Sequence, residues 1–306
     1  MQNECVIIPY HYVHDPKSGL PNVYSKTKKE FKDQLIYLEK KYKIISLRDY
    51  FAYLNNEKDI SEKTCLLTFD DGLKDHYKNV YPILKKMHLP ATFFIPVLPL
   101  LKKKVLPVQM LQCLLAKVNI EDFVIEYHNA ILKHYPDKIE EYRLKEIVDE
   151  KTYLWYDKKT VSLKRAMGKM SFDMQRTILK PLFEKYIGDE EKYWEKLYMN
   201  YFDIVELVKH KFEIGCHGYK HQTMEFLSDE ELDNELLTPK VYLEEMHKIG
   251  IISFSMPYGS YNEKVMEKLK RCGYRCCLNS VFEINKGKTD PFKLTRMDPM
   301  FIGDKI

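Results

Sequence analysis

Short apolar runs alternate with amphipathic stretches over much of the chain. The runs are rich in β-branched and aromatic residues, and each has the length of a β-strand, roughly four to eight residues. Turn residues bound several of them. The strands predicted in this way are 6–13, 44–47, 65–69, 91–97, 212–216, 251–256 and 274–278.

The stretches between these runs show helical periodicity. In 27–41, Phe31, Leu35 and Leu38 share one face of the predicted helix. Further helices are predicted over 228–248, where Ser228 and Glu231 form a capping box, and over 262–272. Strand–helix alternation of this kind indicates a parallel sheet, either open or closed into a barrel.

One long segment, 96–206, breaks this alternation. It is rich in Lys, Glu, Tyr and Leu, its periodicity is helical, and no strand is predicted in it. Loops at the carboxyl ends of barrel strands tolerate insertions and carry specificity. We therefore predict a barrel formed by 1–97 and 206–306, and a helical insertion, 98–205, that carries substrate specificity.

Composition and charge exclude several classes of protein. The chain has 306 residues, of which 45% are hydrophobic, so a disordered chain is excluded. A net charge of +4, spread along the chain, is not a nucleic-acid footprint. No apolar run approaches the roughly 20 residues of a membrane span. The composition says nothing about the oligomeric state.

The beginning of the sequence and its cysteines bear on the compartment. The first residues show neither a basic region nor a small-residue cleavage site, so no secretion signal is predicted. The seven cysteines are odd in number and lie mostly in apolar strand contexts, which favours reduced thiols over disulfides. Together these features predict a cytoplasmic protein.

The first candidate site follows the predicted strand 65–69, which ends in Asp70, Asp71 and Gly72. Parallel α/β folds place their active sites at the carboxyl ends of strands. Two adjacent carboxylates repel each other unless a cation or a proton lies between them. Taken alone, the tripeptide is more typical of a strand-to-helix turn in which Asp71 caps the helix.

Two histidines form the second candidate site. His217 and His221 lie four positions apart, directly after the predicted strand 212–216. By themselves they are more typical of a surface loop. One Asp and two His together, however, are a ligand set for a zinc-like catalytic ion with open positions for water.

The third candidate site is the turn 256–259, Met-Pro-Tyr-Gly, between a predicted strand and a predicted helix. Backbone N–H groups in such a turn can face an oxyanion. Without the other two sites it indicates an ordinary turn.

The three motifs in this order resemble the polysaccharide deacetylases with a NodB-homology domain, the carbohydrate esterase family 4 pattern. The quoted residues are Thr-Phe-Asp-Asp-Gly at 68–72, His217 and His221, and the turn at 256–259. The resemblance covers 1–97 and 206–306 and leaves the insertion unmatched. It implies an α/β fold, a distorted parallel (β/α)7-type barrel, with a large helical insertion.

The resemblance also implies a role for each residue. Asp70 would be the general base, and Asp71, His217 and His221 would bind one divalent metal ion that polarises the amide carbonyl and lowers the pKa of its water. The backbone N–H of Tyr258 would help to hold the oxyanion. Zinc suits this ligand set, with cobalt, nickel and iron as alternatives. The substrate-binding turn would be Pro257, Tyr258 and Gly259.

The general acid is the first departure from the family pattern. The family's Leu-x-His motif near the C-terminus is missing, whereas the predicted strand 6–13 carries His11 near its end. This strand resembles the family's last strand moved to the N-terminus, as in circularly permuted members. A barrel brings first and last strands side by side. We predict His11 as the general acid, with His14 as a weaker candidate and a structural hydrogen bond as the alternative.

The arginine that orients the base in the family is the second departure. Its position is occupied by Ser255. Arg296 is predicted to take over this role, and Asp298 could orient a histidine. A surface salt bridge between Arg296 and Asp298 is the alternative.

These inferences predict a metal-dependent hydrolase that removes an N-acetyl or other N-acyl group from an amino sugar. A nucleotide- or lipid-linked intermediate of bacterial surface polysaccharide synthesis is the favoured substrate, with peripheral contact to a lipid-linked substrate allowed. The alternatives are an O-acyl esterase, a non-sugar amidase, or an inactive barrel that binds glycan.

Overall fold

The apolar runs form one sheet in the computed structural model of the chain, which describes residues 3–15, 25–145 and 157–303. Each predicted strand corresponds to an observed one, and a short eighth strand follows them. The strands are β1 (Glu4–Tyr10), β2 (Lys43–Ile44), β3 (Thr64–Phe69), β4 (Thr92–Ile95), β5 (Glu213–Cys216), β6 (Ser253–Ser255), β7 (Cys276–Leu278) and β8 (Asn285–Lys286).

The sheet is curled and almost entirely parallel. Its order is β7-β6-β5-β4-β3-β1-β8, and β2 pairs with β3. Only β8 is antiparallel, against β1. The segment 294–297 forms hydrogen bonds to both β7 and β1. The Leu294 amide donates to the Cys277 carbonyl (3.2 Å), and the Met297 amide donates to the Ile7 carbonyl (2.8 Å). The predicted α/β fold with a distorted, barrel-like parallel sheet is confirmed.

Helices connect the strands. The predicted capping box at Ser228 is observed, and a second box, not among the predictions, lies at Thr27. Thr27 and Ser228 each accept a hydrogen bond from the third helical residue in a capping box. The α-helices are α1 (Lys28–Lys41), α2 (Leu47–Leu54), α3 (Tyr81–Met87), α4 (Val97–Lys102), α5 (Pro107–Lys117), α6 (Ile120–His134), α7 (Lys158–Gly168), α8 (Phe172–Tyr186), α9 (Glu190–Leu197), α10 (Tyr201–Lys209), α11 (Asp229–His247) and α12 (Glu263–Arg271).

Several strands are shorter than predicted, and pairing explains where they end. The strand predicted over 6–13 stops at Tyr10, because its last partner is Phe69, the final residue of β3. The strand predicted over 44–47 stops at Ile44, because Ser46 caps α2. The apolar runs continue past the last residue that pairs with a neighbouring strand. A strand length predicted from the run is therefore too long.

Both faces of the sheet are buried, which accounts for the unbroken apolar runs. Along β1, Val6 and Ile8 pack in a cluster with Phe31 of α1. Ile7, on the opposite face, packs in a second cluster with Leu47 of α2.

The described residues divide into two compact units. The first extends to Lys103 and resumes at Glu195, and it contains the whole sheet. The second, Lys104–Trp194, is helical, and α8 packs against α5 and α6 within it. The boundary between barrel and insertion at 97/98 and 205/206, and the role of the insertion in specificity, stay predictions. No helix in the described part of the chain is long and apolar enough to cross a bilayer.

The parallel strands point their carboxyl ends to one edge of the sheet. The candidate residues follow directly: His11 after β1, Asp70 and Asp71 after β3, His217 after β5 and Pro257 after β6. This is the edge at which parallel α/β folds carry their active sites.

Candidate metal centre and active site

Three buried side chains at this edge converge on one point. The Nε2 atoms of His217 and His221 each lie 3.4 Å from Oδ1 of Asp71. One ligand atom from each residue lies within 4.8 Å of those of the other two. The two histidines and the acid predicted from the sequence are therefore adjacent.

The donor set and its spacing fit a first-row divalent ion. Ligand atoms bound tetrahedrally at 2.0–2.2 Å lie about 3.4 Å apart, which is the distance of the Asp71 oxygen from each imidazole nitrogen. Oδ1 of Asp71 is buried without a hydrogen-bond partner among the described residues, as expected of an atom that binds an ion. His217 uses its other nitrogen, Nδ1, to donate to the Ser255 carbonyl (2.8 Å), which leaves Nε2 as the ligand atom.

The charges around Asp71 and His221 favour the forms in which these residues bind a metal. Burial, followed by the charge of His217, lowers the pKa of His221 to about 4, so this imidazole is neutral at pH 7. Burial opposes ionisation of Asp71, but His217 and His221 outweigh it and hold its pKa well below the usual range. A neutral imidazole and an ionised carboxylate are the forms that bind a metal. Burial opposes protonation of His217, but Asp70 and Asp71 outweigh it and raise its pKa, so an ion must displace a proton from this imidazole.

Asp70 lies beside this centre and is held by two donors. Nη1 of Arg296 lies 2.7 Å from Oδ2 of Asp70, and the Ser255 hydroxyl donates to the same oxygen at 3.1 Å. Arg296 is itself 2% exposed, and its Nε donates to the Asn279 carbonyl (2.8 Å). The segment 294–297 thus delivers a guanidinium to the acid that the sequence predicts as the base.

The two oxygens of Asp70 differ. Burial opposes its ionisation, but the charges of Arg296, His217 and His11 lower its pKa below the ordinary value, so it is ionised at neutral pH. Oδ2 accepts from Arg296 and Ser255, whereas Oδ1 has no hydrogen-bond partner among the described residues. Oδ1 is therefore the oxygen available to accept a proton.

His11, the predicted general acid, is exposed at the end of β1. It lies close enough to act electrostatically on both carboxyl groups: after burial and the contacts named above, it helps to lower the pKa of Asp70 and Asp71. Asp298, by contrast, caps a short turn by accepting from the Met300 amide (2.9 Å).

The turn Pro257–Gly259 forms one wall of the centre. The Tyr258 ring lies edge-on to that of His221, with 4.8 Å between centroids, and 47% of Tyr258 is exposed. A Cβ added to Gly259, at φ +69°, would lie 2.6 Å from Cβ of Ser280, so this position needs glycine.

Three site residues have left-handed backbones. The φ angles are 75° at Asp71, 58° at His221 and 57° at Tyr258. Such conformations are uncommon for residues other than glycine and cluster at active sites, where the surrounding structure enforces them. The backbone is therefore strained at the three points that place ligands and the turn.

Glu235 is a contributor that the sequence did not reveal. This residue of α11 is 1% exposed, and its carboxylate accepts from the amides of Tyr219 and Lys220 (both 2.9 Å), inside the loop between the two histidines. Burial raises its pKa to about 7 against the effect of these amides. No motif marks it, because its partners are backbone atoms.

Comparison with known proteins agrees with this geometry. A family model described as polysaccharide deacetylase matches residues 57–154 and 196–277, more than half of the chain. The chain is 36% identical to the Bacillus subtilis protein YxkH over 88 residues, 28% of this chain and 31% of that protein. It is 32% identical to the poly-β-1,6-N-acetyl-D-glucosamine N-deacetylase of Staphylococcus epidermidis over 106 residues, 31% of this chain and 36% of that enzyme.

The fold also matches a solved structure. The Streptococcus pyogenes deacetylase PplD, solved in complex with acetate, superimposes with a TM-score of 0.61 at 16% identity, covering 97% of this chain and 93% of that one. This similarity shows the fold alone, and the chain aligns with only about a third of each curated relative. On the match of the family model, the chain belongs to the polysaccharide deacetylase family.

Proposed function

We propose that the protein is a metal-dependent hydrolase that removes N-acetyl groups from an amino-sugar glycan. The observation that carries the proposal is the placement of a buried Asp–His–His triangle directly beside an arginine-held carboxylate. A metal site alone could be structural. A second carboxylate with one unpartnered oxygen next to it supplies the base that hydrolysis needs.

Asp71, His217 and His221 would hold the ion. When bound, a divalent cation supplies Lewis acidity, which polarises an acyl oxygen and acidifies water. The Ser255 carbonyl fixes the His217 ring, and Glu235 fixes the loop between the histidines. The protein itself therefore contributes a set of ligands whose orientation is fixed by hydrogen bonds.

Asp70 would act as the general base. Arg296 and Ser255 hold its Oδ2, so Oδ1 is the oxygen that would accept the proton of the attacking water. The backbone N–H of Tyr258, in the strained turn, would donate to the oxyanion, with Pro257 and Gly259 shaping the substrate wall.

His11 would protonate the departing amine. An amide nitrogen is a poor leaving group unless it is protonated, so the reaction needs an acid as well as a base. His11 is exposed and close to both carboxylates, whereas the alternative candidate His14 is only 1% exposed and cannot reach a substrate.

The substrate class is proposed from the curated relative. The Staphylococcus epidermidis enzyme is named for poly-β-1,6-N-acetyl-D-glucosamine, and we propose an N-acetylglucosamine glycan for this chain. The nucleotide- or lipid-linked substrate, the cytoplasmic location and the role of the insertion stay predictions. Zinc as the metal is also a prediction, drawn from the ligand types.

Acetate release tests the activity. The purified protein, supplied with Zn²⁺, Co²⁺ or Ni²⁺, would be incubated with β-1,6-linked N-acetylglucosamine oligomers, UDP-N-acetylglucosamine and a lipid-linked N-acetyl sugar. We expect acetate from the oligomers and none from Asp70→Asn. Asp33→Asn, which changes an exposed acid of α1, is the matched control and should retain full activity.

Two outcomes would contradict the proposal. Acetate from O-acetylated but not N-acetylated sugars would indicate the esterase alternative. Glycan binding without acetate from any substrate or metal would indicate an inactive glycan-binding barrel.

A further inference from the structure

A π-helix follows the Asp70–Asp71 turn. It spans His76–Val80, between the turn and α3. π-Helical turns are rare in proteins, and those that occur are often found at functional sites. Three of the side chains in and next to it, Asp75, His76 and Asn79, bond to the segment that follows β1. We call these three residues the π-helix clamp.

Asp75 binds the middle of that segment. Its Oδ2 accepts from the Val13 amide (3.2 Å) and lies 2.8 Å from Nδ1 of His14. Asp75 and His14 are 4% and 1% exposed. His14 is therefore an anchor held by a buried carboxylate.

His76 binds His11 itself. Its Nε2 lies 2.7 Å from the His11 carbonyl oxygen. Because a carbonyl only accepts, Nε2 carries the proton and donates. The ring is fully buried, 5.4 Å from the Phe69 ring and 5.8 Å from that of Phe93, and burial lowers its pKa, so it stays neutral.

Asn79 completes the clamp. Its side-chain amide donates to the Val13 carbonyl (2.7 Å). The clamp therefore bonds both peptide groups of Val13 and the carbonyl of His11, in a segment that leaves the sheet after Tyr10 and makes one further bridge, between Val13 and Lys26.

The sequence explains why the helix is widened here. Pro82 has no amide hydrogen, so it cannot donate to the carbonyl of Lys78 as an α-helix requires. The preceding amide, that of Tyr81, donates instead to the His76 carbonyl five residues back. Asp75, His76 and Asn79, in and next to this widened turn, all bond to the segment after β1.

We propose that the π-helix clamp is a positioning device for His11, which holds the backbone of this residue so that the imidazole can protonate the leaving amine. The inference rests on the proposed function, in which His11 is the acid. It adds three residues that act through the backbone of His11.

The test uses the leaving group. An amide needs its nitrogen protonated, whereas an aryl acetate such as p-nitrophenyl acetate expels a stable phenolate without an acid. Loss of the acid, or of its position, should therefore lower amide hydrolysis and spare aryl ester hydrolysis. A merely structural role would lower both equally.

The central variant is His76→Phe, which keeps an aromatic ring beside Phe69 and Phe93 but removes the donor. Wild type and variant would be compared as metal-loaded proteins on N-acetylglucosamine oligomers and on p-nitrophenyl acetate. A general acid accelerates such reactions by about 10²–10⁴-fold. We expect His11→Ala to lose this factor in the rate of amide hydrolysis, and His76→Phe to lose at least about tenfold in the same rate. Both should hydrolyse the aryl ester at the wild-type rate.

Three further variants complete the experiment. His76→Gln, which can place an amide N–H near the former Nε2, should recover most amide activity. Asn79→Ala should lower amide hydrolysis and accelerate hydrogen exchange at the Val13 amide. Tyr77→Phe, a change in the same helix that leaves the clamp intact, should match wild type on both substrates.

The outcomes separate the clamp from the function. Equal losses on amide and aryl ester, or no loss on the amide in His76→Phe and Asn79→Ala, would overturn the clamp while leaving the deacetylase intact. If His76→Phe does not fold, Asn79→Ala replaces it, because Asn79 is only half-buried. The same comparison, the loss of amide hydrolysis relative to the loss of aryl ester hydrolysis, then decides. If the wild type hydrolyses no N-acetyl sugar, the proposed function is wrong, and the proposed role of the clamp is wrong as well.

Discussion

A single guanidinium decides the state of the candidate base. Arg296 lies 2.7 Å from Asp70 although the two are 226 positions apart along the chain, and both are buried. Burial alone would raise the pKa of a carboxyl group. The arginine reverses this effect, so Asp70 can accept a proton at neutral pH.

Replacing Arg296 by Met should therefore shift the pH profile. The pKa of Asp70 would rise, and because the base must be ionised, the acidic limb of kcat/KM would move to higher pH. The unpaired buried charge should also lower the free energy of unfolding at pH 7 by about 3 kcal/mol. Rate–pH profiles and urea unfolding of Arg296→Met check both effects.

The control for this prediction is Arg296→Lys, which keeps the positive charge. It should shift the acidic limb of the kcat/KM profile less than Arg296→Met does. An unchanged profile in Arg296→Met would show that Arg296 does not control the base.

Thiol chemistry gives a second prediction at the residue scale. Burial raises the pKa of Cys5, Cys113, Cys216 and Cys277 to about 12, so they carry almost no thiolate at pH 8. Only Cys272 among the seven is not buried. Iodoacetamide at pH 8 should therefore label Cys272 first in the native protein, and the others only in guanidinium.

Peptide mass spectrometry measures this order. Early labelling of a buried thiol would contradict the packing of the sheet around it.

At the scale of elements, α11 and the metal-site loop form one unit. Glu235 bonds the loop between His217 and His221, and Gly218, at φ +79°, lets the carboxylate approach. A Cβ on Gly218 would lie 2.8 Å from Oε2 of Glu235. The spacing of the two histidines thus depends on a helix that carries no ligand.

Gly218→Ala should weaken metal binding, because the loop must move away from Glu235 and the backbone must hold a left-handed alanine. We expect roughly a tenfold rise in the metal Kd, the lower end of the range for groups that orient ligands. Competition with a chromophoric chelator measures it.

Gly250→Ala is the matched control, since nothing lies within 4 Å of its added Cβ. Equal affinities in the two variants would show that the loop tolerates the change.

At the scale of the whole molecule, the metal centre joins distant parts of the chain. Asp71 follows β3, whereas His217 and His221 follow β5, and the unfolded chain holds no such triangle. An ion that binds only the folded state stabilises it by mass action.

Adding Zn²⁺ to the metal-free protein should raise its stability by about 3 kcal/mol at a hundredfold excess over Kd. Calorimetry with and without the ion measures the shift in Tm. Asp71→Asn should show a much smaller shift, and an equal shift in this variant would place the ion elsewhere.

Much of this molecule could be predicted from its sequence, for a physical reason. Buried parallel strands read as continuous apolar runs, and their carboxyl ends carry the site, so Asp71, His217 and His221 could be placed together before their distances were known. The clamp and Glu235 could not, because Asp75, His76, Asn79 and Glu235 bond backbone groups far along the chain. Such contacts leave no pattern in local sequence.

The segment 294–297 has a consequence for the timing of activity. A ribosome adds Asp70 226 residues before Arg296, and the segment that carries Arg296 lies against β7 and β1 at the two sides of the sheet. A nascent chain can therefore bring the three metal ligands together before Arg296 reaches Asp70. On the proposed function, a nascent chain that has not yet reached Arg296 lacks the guanidinium that fixes the base, so its hydrolytic activity should stay low until this residue is in place.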